Sequence, residues 1–184
     1  MNLTSEKLLQ DLLEITRENL NTVENFKNQS IELLNWKQNS ESWSVLECIE
    51  HLNMYGDFYI PEITNRINTS KTESSELFKS NWIGKYFSEA VSYKKNLNKM
   101  KTFKSMNPLN SKLNILTLEK FIRQQHQIIE LLDKSKNINL DKTKTAISIS
   151  KLIKLRLGDT YRVLIFHNQR HLKQAENTLI KASR

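Results

Sequence analysis

The stretch Trp43-Ser44-Val45-Leu46-Glu47-Cys48-Ile49-Glu50-His51-Leu52 opens a helix. Ser44 and Glu47 form an S-x-x-E capping box, in which hydroxyl and carboxylate each take up a backbone N–H that a first helical turn leaves without a partner. Beyond the box, Leu46, Ile49, Leu52, Tyr55, Phe58 and Tyr59 recur at helical spacing until the pattern fades near Asn68. Pro61 either kinks this helix or marks a break in it. Before it, Gln38 to Ser42 is polar and turn-like. Further upstream, Leu8, Leu9, Leu12, Leu20, Val23, Phe26 and Leu34 predict a long first helix between about Thr4 and Trp36, with a polar interruption at Asn28 to Ser30.

Downstream, Asn68 to Ser80 is rich in Ser, Thr, Lys and Glu and reads as a loop, and Trp82 to Tyr93 as a shorter helix. Lys101 to Asn114 is irregular and long for a structureless connection, so it is expected to pack over another part of the molecule. Leu118, Phe121, Ile122, Ile128, Leu131 and Leu132 predict a helix from about Thr117 to Ser135, followed by a polar linker from Asn137 to Lys144. Ala146 to Leu157 alternates with β-branched residues, as a short extended piece or a helical turn would. Gly158-Asp159 reads as a stop and an N-cap, and Asp159 to Ala182 as a last helix of roughly 35 Å. Four long amphipathic helices predict an all-α four-helix bundle, one domain over residues 1–184.

Composition supports this class. With 184 residues, 38% hydrophobic and 26% charged, the chain can build one buried core. Three glycines and two prolines leave no room for a G-x-G-x-x-G or Walker-type phosphate loop, and few turns for a many-stranded sheet. A single cysteine, Cys48, excludes an internal disulfide framework and a Cys-rich zinc or iron–sulfur site, and fits a reducing compartment. No apolar run approaches the ~18 residues of a membrane span, so a soluble, cytoplasmic protein is expected. The net charge is +8, but basic residues are interleaved with Asp and Glu. Nucleic acid is therefore not an expected partner, and the dense run Lys94, Lys95, Lys99, Lys101 and Lys104 reads as a solvated surface.

Four histidines remain to be placed: His51, His126, His167 and His171. His167 and His171 are four apart on the last helix, so their directions differ by about 40° and both rings leave one face about 6 Å apart along the axis. Such a pair can chelate an ion, or can be two exposed helix histidines. His51, on a helix able to face the last one, is a candidate third ligand.

The segment Trp43 to Leu52 resembles the W-S-x-x-E-x-x-x-H-L opening of the second helix in the DinB-like (DinB/YfiT-like) metalloenzyme family. Phe166-His167-Asn168-Gln169-Arg170-His171-Leu172-Lys173-Gln174 is similar to that family's closing H-x-x-R-H-[LI]-x-Q segment. The two occur in order across about Ile31 to Ala182. The resemblance implies a four-helix bundle with a divalent metal held by three histidines, here His51, His167 and His171. The middle, Asn68 to Asn114, matches no motif, so substrate contacts do not carry over. Three neutral imidazoles suit zinc or nickel, with iron or manganese also admissible, and leave coordination positions open for water or substrate. A bound ion lowers the pKa of a water or thiol, and some members of the family are thiol-dependent transferases or isomerases. The expected function is activation of a thiol or water for attack on a small molecule by a homodimer. The alternative is a non-catalytic stress-response or interaction protein on the same bundle.

Other residues are read more plainly. Cys48 is expected to be buried as a small hydrophobe, Glu47 to be used up by the capping box, and His126 to be exposed. Gln174 could hydrogen-bond a ligand ring or make a polar contact between helices. Arg170 points about 100° away from His171 and about 60° from His167, and is expected to pair with Glu or Asp on a neighbouring helix. Trp36, Trp43 and Trp82 read as core or capping aromatics, with Trp43 stapling the helix entry.

Overall fold

The computed structural model describes residues 3–93 and 102–183. Helix α1, Ser5–Phe26, starts at Thr4, whose side chain accepts from the Lys7 N–H. The polar interruption ends it, and Ser30 caps a short second helix, α2, Ile31–Asn35. Helix α3, Val45–Thr69, begins at the expected capping box: the Glu47 N–H donates to Ser44 Oγ at 3.1 Å and the Ser44 N–H to Glu47 Oε2 at 2.9 Å. Pro61 neither ends nor divides it. The helix continues to Thr69 because Tyr59, Ile60, Ile63 and Ile67 are buried on both sides of the missing N–H. Asn81 caps α4, Trp82–Val91, by accepting from the Gly84 N–H at 2.7 Å. Helices α5, Leu116–Lys134, and α6, Leu157–Ala182, complete the set.

The molecule is mostly helical, with two short antiparallel pairs that the all-α expectation did not include. Strand β1, Leu3–Thr4, pairs with β2, Leu77–Phe78, and β3, Lys144–Ile147, pairs with β4, Ser150–Arg156. The second pair resolves the open reading of Ala146 to Leu157 in favour of extended chain, and buries Thr145 and Ile147.

The N-cap expected at Asp159 is a misreading. Helix α6 starts at Leu157, behind Arg156, with no side-chain capping bond. Asp159 lies inside the first turn, fully buried, where the Ser80 hydroxyl donates to its Oδ1 at 2.5 Å and Arg162 approaches at 3.4 Å. A tertiary partner has taken the carboxylate that the local backbone would have used.

Helix α3 packs against α5 and α6, and α1 packs against the same two, while α4 lies on α6. At the α3–α5 crossing Gly56 leaves room for the Gln124 amide, which donates to the Asn53 carbonyl at 3.1 Å and to Asp57 Oδ1 at 2.9 Å. Two apolar clusters result. One is centred on Leu12, Ile63, Ile128, Tyr161 and Leu164, the other on Val23, Ile49, Phe121 and Leu172. Along α3 and α6 the histidines fall where the one cluster gives way to the other. Between α4 and α5 the chain crosses back through a 3-10 turn at Lys104–Met106 and a left-handed residue, Asn110, with φ 64°. Of the basic run singled out in the sequence, Lys104 is exposed, and Lys94, Lys95, Lys99 and Lys101 lie outside the described residues. No helix among the described residues is long and apolar enough to cross a membrane.

Candidate metal centre

Helices α3 and α6 bring His51, His167 and His171 together. One ring nitrogen from each lies within 4.8 Å of the other two, and the ring centroids are 4.6 to 5.0 Å apart. His51 Nε2 and His167 Nε2 are separated by 3.3 Å. His126, the fourth histidine, is exposed on α5 and takes no part.

Hydrogen bonds decide which nitrogen each ring can offer. His51 Nδ1 sits 2.6 Å from the carbonyl oxygen of Met106. A carbonyl only accepts, so Nδ1 carries the proton and Nε2 keeps its lone pair. His171 Nδ1 lies 3.0 Å from Gln174 Oε1, which fixes the same tautomer there. The buried His167 Nδ1 has no hydrogen-bond partner among the described residues. His51 thus turns a lone pair toward His167 Nε2, a contact that either a hydrogen bond from a protonated His167 Nε2 or a cation between the rings satisfies, and a cation could engage the third imidazole as well. At zinc–nitrogen lengths of ~2.0–2.1 Å, two ligands of a tetrahedral ion stand roughly 3.3 Å apart, as His51 and His167 do, whereas the three nitrogens as a set lie within 4.8 Å of one another and would draw in around an ion.

Burial also keeps the rings neutral. Desolvation pushes His51 down to about 4 and His171 down to about 3, and holds His167 well below the usual imidazole range, with mutual repulsion adding to the effect at His167 and His171. All three lone pairs are therefore available near neutral pH.

Two aromatic rings frame the cluster. Trp43 lies with its ring centroid 4.7 Å from that of His51 and 5.7 Å from that of His171, and its indole N–H donates to Asn107 Oδ1 at 3.2 Å. Tyr55, one turn beyond His51, stands 5.0 Å from His51 and 4.6 Å from His167. Desolvation raises its hydroxyl to about 12, so it stays protonated. The triad, Tyr55, Arg170 and Gln174 all line one cavity of about 910 Å³.

The staple reading of Trp43 missed its contact with the triad, and Tyr55 was read only as part of an apolar stripe. Its place four residues after His51 was the available signal. The Met106 carbonyl had none, because a backbone oxygen carries no residue signature. Gln174 does contact a ring of the triad, that of His171. Cys48 is fully buried, with its thiol pushed far up by desolvation, and lies outside the cluster. Glu47 does more than cap: it also accepts from the Lys37 ammonium at 3.2 Å and from the Asn110 N–H at 2.5 Å.

The family model of the DinB superfamily matches residues 12–175. The chain belongs to the DinB superfamily. No curated protein and no solved structure compared with it gives a match. Membership in the DinB superfamily and a cluster of three neutral imidazoles, one buried and two half-buried, agree in pointing to a divalent metal site.

Proposed function

We propose that this DinB superfamily protein is a metal-dependent enzyme acting on small molecules. In this reading α1, α3, α5 and α6 form the family's four-helix bundle, and His51, His167 and His171 hold the ion. Zinc or nickel suits the donor set best, and iron or manganese is admissible. The observation that carries the reading is the pair of tautomers fixed by Met106 and Gln174 on rings that burial keeps neutral. When bound, such an ion lowers the pKa of a thiol or water and so supplies a nucleophile near neutral pH.

The chain's own residues do the rest. Trp43 covers one side of the triad and keeps bulk water from it. Tyr55, protonated and lining the cavity, can donate a hydrogen bond or a proton to a group that gains negative charge during attack. A low-molecular-weight thiol is the proposed co-substrate, the cytoplasm the proposed location and a homodimer the proposed assembly.

Elemental analysis after dialysis, on protein purified without added metal or a His tag, tests the centre. Wild-type protein should retain about one equivalent of zinc or nickel, in line with a three-imidazole site. His171→Ala should lose it. Unchanged stoichiometry in that variant removes the proposal.

A further inference from the structure

We infer that the cavity over the triad receives a flat aromatic molecule bearing one acid group, gripped by rings on its walls and by Arg170 at its charged end. This deepens the enzymatic reading, and rests on it for the share of positive charge that an ion contributes.

Size comes first: about 910 Å³ falls within the ~300–1,000 Å³ of small-molecule sites. The walls come next. Of the chain's three Trp, five Tyr and seven Phe residues, seven line this one cavity. Trp36 and Trp43 flank the polar turn before α3, and Tyr55 and Tyr59 stack along α3 with their rings 6.4 Å apart. Tyr86 and Phe87 come from α4, and Phe103 from the segment that crosses back toward α5. Rings serving only to fill a core would be buried. Tyr86 is 66% and Phe103 53% exposed, so two large aromatic faces stand in water at the cavity's edge. Aromatic rings prefer offset or edge-to-face neighbours; Tyr86 has one edge-on neighbour in Phe87, ring centroids 5.6 Å apart, and a flat guest would cover the faces that Tyr86 and Phe103 leave in water.

Charge selects the other end of the guest. The charged residues lining the cavity, among those described, are Glu41, Arg170 and Lys181. Glu41 and Lys181 are exposed, and Lys181 is hydrogen-bonded to Gln38 at 3.0 Å. Arg170 is partly buried, adjoins His171 in sequence and, like Lys181, is already engaged within the fold, so the guest's acid group joins an existing contact; its place beside the triad is what selects it. The triad itself is neutral and includes no carboxylate. With a divalent ion in place, the inner end of the cavity is therefore strongly positive, and an acid group on the guest balances it.

Calorimetric titration of the zinc-loaded, full-length protein tests this, with zinc content measured on the same samples. The probe is 2-naphthoate, compared with uncharged 2-naphthylmethanol and with cyclohexanecarboxylate, which is acidic but not flat. Naphthoate should bind at one site, about tenfold or more tighter than either comparator. Phe103→Ala and Tyr86→Ala, both at exposed positions, should each weaken it about three- to tenfold, with circular dichroism unchanged. Arg170→Gln should narrow the gap between naphthoate and the alcohol and leave the alcohol unaffected, the gap that remains being the share the zinc supplies; an unchanged gap overturns the role of Arg170. Equal binding of the two acids, indifference to the Phe103 and Tyr86 variants, or no saturable binding of naphthoate overturns the inference. Protein that holds zinc but ignores naphthoate sinks the inference and spares the metal centre. Protein that loses zinc yet binds naphthoate through Phe103 and Tyr86 does the reverse.

Discussion

An imidazole can offer either nitrogen to an ion, and at His51 and His171 a neighbouring oxygen makes the choice. In the proposed metal centre Gln174 would therefore tune affinity without touching the ion. Gln174→Ala should weaken zinc binding about 10- to 100-fold, measured by competition with a chromogenic chelator. Tyr55→Phe separates two roles of one side chain. It keeps the ring against His51 and His167 and removes the hydroxyl, so zinc affinity should be unchanged while any turnover falls by about a hundredfold or more. A drop in zinc affinity would instead show that the hydroxyl supports the ligands. At this scale His167, His171 and Gln174 were legible because three- and four-residue spacings on a helix project to one face, whereas His51, on a different helix, was joined to them by the resemblance of Trp43 to Leu52 to the family's motif. Trp43 stands outside its helix, so periodicity could not aim it at the triad.

Local motifs carry different weight when whole elements are compared. The capping box at Ser44 was readable because both partners lie three residues apart and both bonds close within one turn. Ser44→Ala should cost about 1 kcal/mol and lower Tm by roughly 2–4 °C for a chain of this size, seen by differential scanning calorimetry. The start of α6 misled the same kind of reasoning, since Asp159 is the type of residue that caps a helix but is claimed by Ser80 across 79 positions of chain. The β1–β2 pair left no trace in the sequence, because two-residue strands show no alternation and their partners are far apart. Where α4 meets α6, a Cβ on Gly84 would collide with the Asp159 carboxyl group. Gly84→Ala should therefore cost about 1–3 kcal/mol in urea unfolding, and shift α4 away from the cavity that Tyr86 and Phe87 line.

The whole molecule assembles the triad from stretches more than a hundred residues apart, since His51 and His167 are separated by 116 positions. Only the folded chain offers all three rings at once, so zinc held at 1,000 times its Kd should add roughly 4 kcal/mol of stability, and chelation should remove it. Metal-free protein should also be acid-sensitive. His51 titrates near 6.5 when unfolded and at about 4 when folded, so the unfolded chain takes up its proton first. Stability is full above pH 6.5 and falls toward pH 4, by up to about 1.4 kcal/mol per pH unit for this ring. Urea midpoints between pH 5 and 8 check the slope, and a flat profile would contradict it. Finally, the Glu47 carboxylate knots three stretches of chain together, accepting from Lys37, Ser44 and Asn110. It hitches the stretch bearing Phe103 and Met106 to the rod bearing His51. The Met106 N–H donates to the Phe103 carbonyl at 2.9 Å and the Met106 carbonyl faces His51, so a guest bound against Phe103 would bear on the same turn of chain that aims a deep imidazole.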